Sequence, residues 1–243
     1  MSKRLLSVKL LALSVALLMG AGFWGGCKKI EWKRDPNRFD TEYFACYNSN
    51  GVKIIGLTDK GKELEEIVFP QYLDGFLVQY VGWNVAGPGF YSTTIKKIFM
   101  ESNVKIFGNP FTGKLGKLNK IIYISVIAVD DSFIYLPHIS KFVPKGYKEI
   151  YYESGFLVNE ADISFMNNYD NTVNGGFHWI DDLDEGENFK TIPSNPEREG
   201  YTFGGWYYEP ECVDQCDLTT YIKGEDDLIL YAKWTESEGD NNL

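Results

Sequence analysis

The sequence predicts a mainly β protein in two modules, a short array of stacked strands followed by a small sheet closed by aromatic residues. Three observations carry this expectation. Aromatic residues make up 16% of the chain, mostly Tyr and Phe, which favour strands over helices. A short motif recurs through the centre: Leu64-Glu-Glu-Ile67-Val-Phe69-Pro70, then Ile95-Lys-Lys-Ile98-Phe-Met100, then Leu118-Asn-Lys-Ile121-Ile-Tyr123, with starts 31 and 23 residues apart. Near the C-terminus, Gly200 and Gly204-Gly205 punctuate turns around a Tyr-Thr-Phe strand signal.

The chain opens with Lys3, Arg4 and Lys9, an apolar run from Leu10 to Phe23, and Gly25-Gly26-Cys27. A basic start, a short apolar stretch and small residues before a break form the pattern of a secretory leader. The apolar run is shorter than the roughly 20 residues a membrane-spanning helix needs. A cysteine directly after the small pair resembles the lipobox of bacterial lipoproteins. The resemblance implies cleavage after residue 26, with Cys27 lipidated as the new N-terminus and residues 1–26 acting as the lipoprotein signal peptide. Residues 27–41 then read as a charged tether, and 236–243 as an acidic tail.

The formal charge is −10, and loss of the leader's three cations takes it to −13. Such acidity excludes nucleic acid, which needs a basic footprint, and leaves attachment to the membrane to the lipid itself. About 217 residues remain after cleavage, enough for one large or two modest domains. Of the four cysteines, Cys46, Cys212 and Cys216 remain beside Cys27. The close spacing of Cys212 and Cys216 makes them the candidate disulfide pair, and the scarcity of nearby His leaves no expectation of a metal.

In the central motif each unit has an apolar residue, two polar ones, then alternation. This describes a short strand laid beside its copies, since one such strand cannot bury its inner face but several can. With its flanking phrases, Ile54-Ile-Gly-Leu-Thr-Asp59 at the start and Phe142-Val-Pro144-Lys-Gly146 at the end, the array resembles the BspA-type leucine-rich repeats of bacterial surface proteins over residues 42–156. The segments Pro193 to Tyr207 and Leu228 to Trp234 resemble the Listeria–Bacteroides repeat, also called the internalin B-repeat. That resemblance implies a small β-grasp-like module over residues 160–235, with Ile163–Met166 as its first strand. Trp206 and Trp234 are expected to close its core.

No catalytic motif is present. His138 and His178 read as ordinary packing or surface residues, so no enzyme activity and no cofactor are expected. The acidic run Asp181 to Glu187 reads as a solvated turn, with calcium binding as the alternative. Tyr80, Trp83, Phe90 and Tyr91 flank a Gly87-Pro88-Gly89 loop. They are the candidate ligand contacts, with core or edge filling as the competing reading. The lipobox resemblance implies a lipid-anchored protein facing outward from the bacterial cell membrane, and the two repeat resemblances imply a binding or adhesion role towards a protein or glycan. A structural envelope spacer and a surface polysaccharide-binding accessory protein are the alternatives.

Overall fold

A computed structural model describes residues 35–82, 87–101, 104–106, 110, 115–126, 139–153, 157–170, 172 and 174–237. The leader, Cys27, most of the tether, Trp83, His138 and the end of the tail lie outside these residues. The described chain is mainly β, as expected.

The first strands are β1 (Arg38–Asp40), β2 (Phe44–Asn48) and β3 (Val52–Leu57), joined as an antiparallel meander. The short helix α1 (Asp59–Glu63) begins at Thr58, whose hydroxyl accepts a hydrogen bond from the Gly61 amide at 3.2 Å, the usual way of satisfying an open helix start. β4 (Glu66–Phe69) begins the repeated motif. β5 (Tyr72–Leu73) and β6 (Phe76–Val81) form a hairpin, and β6 runs parallel to β3. β7 (Lys97–Met100), β8 (Lys105–Ile106) and β9 (Lys120–Tyr123) follow, then β10 (Ser140–Val143), helix α2 (Lys148–Glu153) and β11 (Asn159–Glu160).

The three motif copies become β4, β7 and β9, and they stack side by side in parallel within the order β11-β10-β9-β7-β4. Their register is unbroken: Glu66, Lys97 and Lys120 form one row across the sheet, followed by Ile67, Ile98 and Ile121, then Val68, Phe99 and Ile122. Successive residues of a strand face opposite sides, so each row belongs wholly to one face. The Ile67 and Phe69 rows turn into the array's own core with Val52, Val81 and Phe90. The segment joining the two modules is not a free linker, because β11 pairs in parallel with β10 and extends the array.

The C-terminal module comprises β12 (Ile163–Met166), β13 (Phe177–Asp181), β14 (Tyr201–Tyr207), β15 (Gln215–Cys216) and β16 (Leu228–Glu236). The order is β13-β12-β16-β14-β15, with the first and last strands of the module parallel at its centre. Ile163–Met166 is the first strand here, as expected. Gly204-Gly205 does not form a turn. It lies within β14, where the pairing with β16 jumps from Phe203↔Trp234 to Trp206↔Ala232, a β-bulge with Gly205 at φ 109°. The bulge explains the Gly pair. In a regular strand residues 203 and 206 would face opposite sides, whereas here the extra residue resets the alternation, and the Phe203 and Trp206 rings meet at 5.2 Å.

Candidate functional site

The central strands of the array sheet, β7 and β9, bury both of their faces. On the face away from the array's own core, the apolar row of Phe99 and Ile122, with half-buried Val68 and Phe142, joins the core of the C-terminal module. Phe99 meets Trp179 of β13 with ring centroids 4.8 Å apart. The polar row one step away meets the acidic run. Lys97 Nζ lies 2.7 Å from Asp181 and 3.6 Å from Glu66, with side-chain exposures of 6%, 1% and 9% respectively. Lys120 lies 2.9 Å from both Asp182 and Asp184. The geometry follows from strand periodicity: Trp179 and Asp181 are two residues apart on β13, as Lys97 and Phe99 are on β7, so one apolar and one charged contact form together.

This seam corrects the reading of Asp181 to Glu187 as a solvated turn for the first two residues: Asp181 is fully buried and Asp182 half-buried, and both are engaged by lysines, while Asp184, Glu185 and Glu187 are exposed around the turn, with Asp184 reaching Lys120. Among the described residues no group of three His, Cys, Asp or Glu side chains is placed to hold a metal ion. Burial drives the Asp181 carboxyl up to about 7, while the charge and hydrogen bond of Lys97 pull the other way. Burial also tends to lower the Lys120 pKa, but its hydrogen bonds to Asp182 and Asp184 prevail and raise it. Glu66 Oε2, Asp181 Oδ2 and Trp179 Nε1 are buried without a hydrogen-bond partner. An ionised acid supplies only acceptors, so a proton on Asp181 would add a donor to the site.

The candidate contact residues around Gly87-Pro88-Gly89 separate. Phe90 is in the core, 6.0 Å from the Phe69 ring, so it fills the interior and does not face a ligand. Tyr80 is half-buried in β6, and Trp83 lies outside the described residues. Tyr91 is 56% exposed. The loop that carries it is held firmly: the Leu57 amide donates to the Gly89 carbonyl at 2.9 Å, and a Cβ on Gly56 would lie 2.5 Å from Gly89 backbone atoms. Only glycine permits so close an approach of two backbones.

The Cys212–Cys216 pairing is also corrected, since both are free thiols. Cys216 is buried, opposite Trp206 in the β14–β15 pair, while the Cys212 sulfur lies 3.5 Å from Asn168 Nδ2 and is partly exposed. Burial raises both thiol pKa values, and that of Cys46 to about 12. Residue-resolved iodoacetamide labelling of the native protein at pH 8 is therefore expected to modify Cys212 first. Cys46 and Cys216 should label at least ~10-fold more slowly, since access needs local opening.

The core of the C-terminal module is a relay of rings. Trp206 is 5.0 Å from Phe165 and 5.8 Å from His178, and His178 Nε2 is 2.7 Å from the Ser194 carbonyl. That ring is packed and engaged, as expected for an ordinary histidine. Trp234 donates its indole N–H to Asn167 O at 2.6 Å, and the Arg198 guanidinium stacks 3.6 Å from the Tyr201 ring. Every phrase the sequence singled out in this region serves the core or its rim.

Residues 162–233 match the family model of the Listeria-Bacteroides repeat domain. The repeat domain thus coincides with the five-stranded module and includes Trp179 and Asp181, the residues that meet the array. A protein of Evansella cellulosilytica named "Putative membrane protein" is 33% identical over 78 residues, 32% of this chain. The chain covers 11% of that protein's length. No solved structure matches the chain. Among the described residues, no helix is long and apolar enough to cross a membrane.

The seam was not foreseen from the sequence, although a signal existed. The third residue of each motif copy, Glu66, Lys97 and Lys120, is charged yet followed by three apolar residues in a row. Only a strand covered on both faces needs that pattern.

Proposed function

We propose that this is a lipid-anchored bacterial surface protein, attached through Cys27 and exposed to the outside, with a non-catalytic binding role towards a protein or glycan. The observation that carries the reading is the repeat-domain match over residues 162–233. The similarity to a protein named as a membrane protein supports a location at the envelope. Parallel stacking of the motif copies supports the BspA-type reading of the array, and the parallel central pair β12–β16 supports a grasp-like repeat domain.

Within this reading, recognition falls to the pinned loop that displays Tyr91. The broad face of the array is covered by the repeat domain, which removes the surface such arrays would offer to a partner. Rigid loops carrying exposed aromatic residues suit sugars and peptides.

The test is a binding screen of the processed chain against immobilised glycans, matrix proteins and intact cells. Saturable binding weakened at least ~10-fold by Tyr91→Ala, as for a loss of more than about 1.4 kcal/mol at an aromatic contact, is the expected result. A folded sample that binds nothing in any of the three formats would favour the envelope spacer, which the covered sheet face also fits. Binding confined to polysaccharide would favour the accessory role.

A further inference from the structure

The β5–β6 hairpin exposes three large apolar side chains within six residues. Tyr72 is 57% exposed, Phe76 54% and Leu77 42%. Tyr72 and Leu77 are paired across the two strands, so they stand side by side on one face. The turn between the strands places Asp74 at φ 50° and Gly75 at φ 79°, the left-handed pair that a tight two-residue hairpin needs. The hairpin is well formed, and its exposed side chains are not accounted for by the core.

Its position in the sheet supplies a partner. Val78 pairs with Val52, and Val52 with Asn48, whose amide donates to the Asn37 carbonyl at 2.8 Å. Asn37, Asn48, Val52 and Val78 therefore mark one end of the sheet. β1 and β6 both start from that end. The chain arrives there from its N-terminal side at Asp35, and the hairpin turn projects beyond Val78 in the same direction. Three strand spacings separate β1 from β6, about 14 Å at ~4.8 Å each. Cys27 precedes Asp35 by eight residues, which fully extended span at most about 29 Å. A lipid on Cys27 would therefore leave this end of the sheet, and the hairpin that projects from it, within reach of the bilayer.

We propose that the β5–β6 hairpin is a second membrane contact, in which Tyr72, Phe76 and Leu77 enter the interfacial zone of the bilayer that holds the anchor. The proposal rests on the Cys27 anchoring reading. Tyrosine and apolar side chains suit that zone, where one end of the ring is apolar and the other wet. The segment Gln71 to Gln79 has one acid, Asp74, and no base, so the contact is apolar and insensitive to salt. The hairpin adds a second point of contact and fixes the orientation of the body.

The test holds the processed chain, with Cys27→Ser and an N-terminal hexahistidine, on phosphatidylglycerol–phosphatidylethanolamine vesicles containing a nickel-chelating lipid. Attachment then does not depend on natural lipidation. All described elements lie between residues 35 and 237 and are retained. Amide hydrogen exchange at 75–77 is expected to slow about fivefold or more on vesicles, equally at low and high salt. Phe76→Asp/Leu77→Asp should abolish that protection while leaving β7 and β9 amides unchanged. Equal exchange with and without vesicles overturns the proposal. So does protection that arises without vesicles and grows with protein concentration, which would assign the hairpin to a second copy of the chain. Mass spectrometry of the N-terminal peptide from the full chain expressed in bacteria tests Cys27 separately, so failure of the anchor and failure of the hairpin are distinguishable.

Discussion

Lys97→Ala is expected to destabilise the protein by about 3–5 kcal/mol, the usual cost of stranding a buried charge. Lys97 is the only cation in contact with both Glu66 and Asp181 among the described ion pairs. Its removal leaves two carboxylates in a site that excludes water, already short of hydrogen-bond donors at one oxygen of each. The surface pairs at the rim of the same seam, Lys96 and Lys190 with Glu65, are half exposed, and deleting either lysine should cost less than about 1 kcal/mol. The contrast is measurable by urea denaturation. If Lys97→Ala and Lys190→Ala shift the midpoint equally, the buried pair does not dominate the seam.

The same site gives stability a pH dependence whose sign follows from its chemistry. Burial on folding raises the Asp181 carboxyl from the ordinary 3.8 to about 7. Between those values the folded chain holds more protons than the unfolded one, so stability falls as pH rises through that window. This contribution is most favourable below the unfolded value and levels off above about 7. Asp181→Asn is expected to remove this part of the slope while keeping an acceptor for Lys97. The cost of Lys97→Ala should be smaller at pH 5 than at pH 8, because at pH 5 the stranded Asp181 is neutral. Urea titrations of the three proteins at both values check this, and a Lys97→Ala cost independent of pH would sink the argument.

How much of this was legible in the sequence depends on the range of the interaction concerned. The motif copies at Leu64, Ile95 and Leu118 gave the positions of β4, β7 and β9, because apolar alternation is a local property. The aromatic phrases located the C-terminal module for the same reason. The Gly204-Gly205 pair reads as a turn in sequence but forms a bulge, since a Gly pair signals φ freedom without saying whether the chain reverses or only slips its register. Phe90 was ambiguous, because an aromatic beside a loop looks the same whether it faces in or out. The seam was hardest. Lys97 and Asp181 are 84 residues apart, and nothing in either local pattern announces that one module lies on the other. The candidate disulfide failed for a related reason: a spacing of four residues brings two cysteines near each other in sequence, but β15 turns Cys216 inward while Cys212 stays at the surface.

Trp206→Ala is expected to cost about 3–5 kcal/mol, the range for deleting a buried large aromatic side chain, and its consequences should reach beyond the repeat domain. Trp206 is 4% exposed, and its ring touches those of Phe165, Phe203 and His178. On the paired strands the space left is bordered by Ala232 of β16 and Cys216 of β15, both too small to fill it. The same core contains Phe99 and Ile122 of the array, so loosening it bares an apolar row on β7 and β9. The expected result is one cooperative urea transition, at a lower midpoint, seen alike by far-UV circular dichroism and by hydrogen exchange in β7. If β7 amides keep wild-type protection while the repeat domain opens, the seam is a docking contact between independent modules. Loss of both together makes the sheet of the array and the core of the repeat domain one folding unit, with the row Val68, Phe99 and Ile122 as the surface they share.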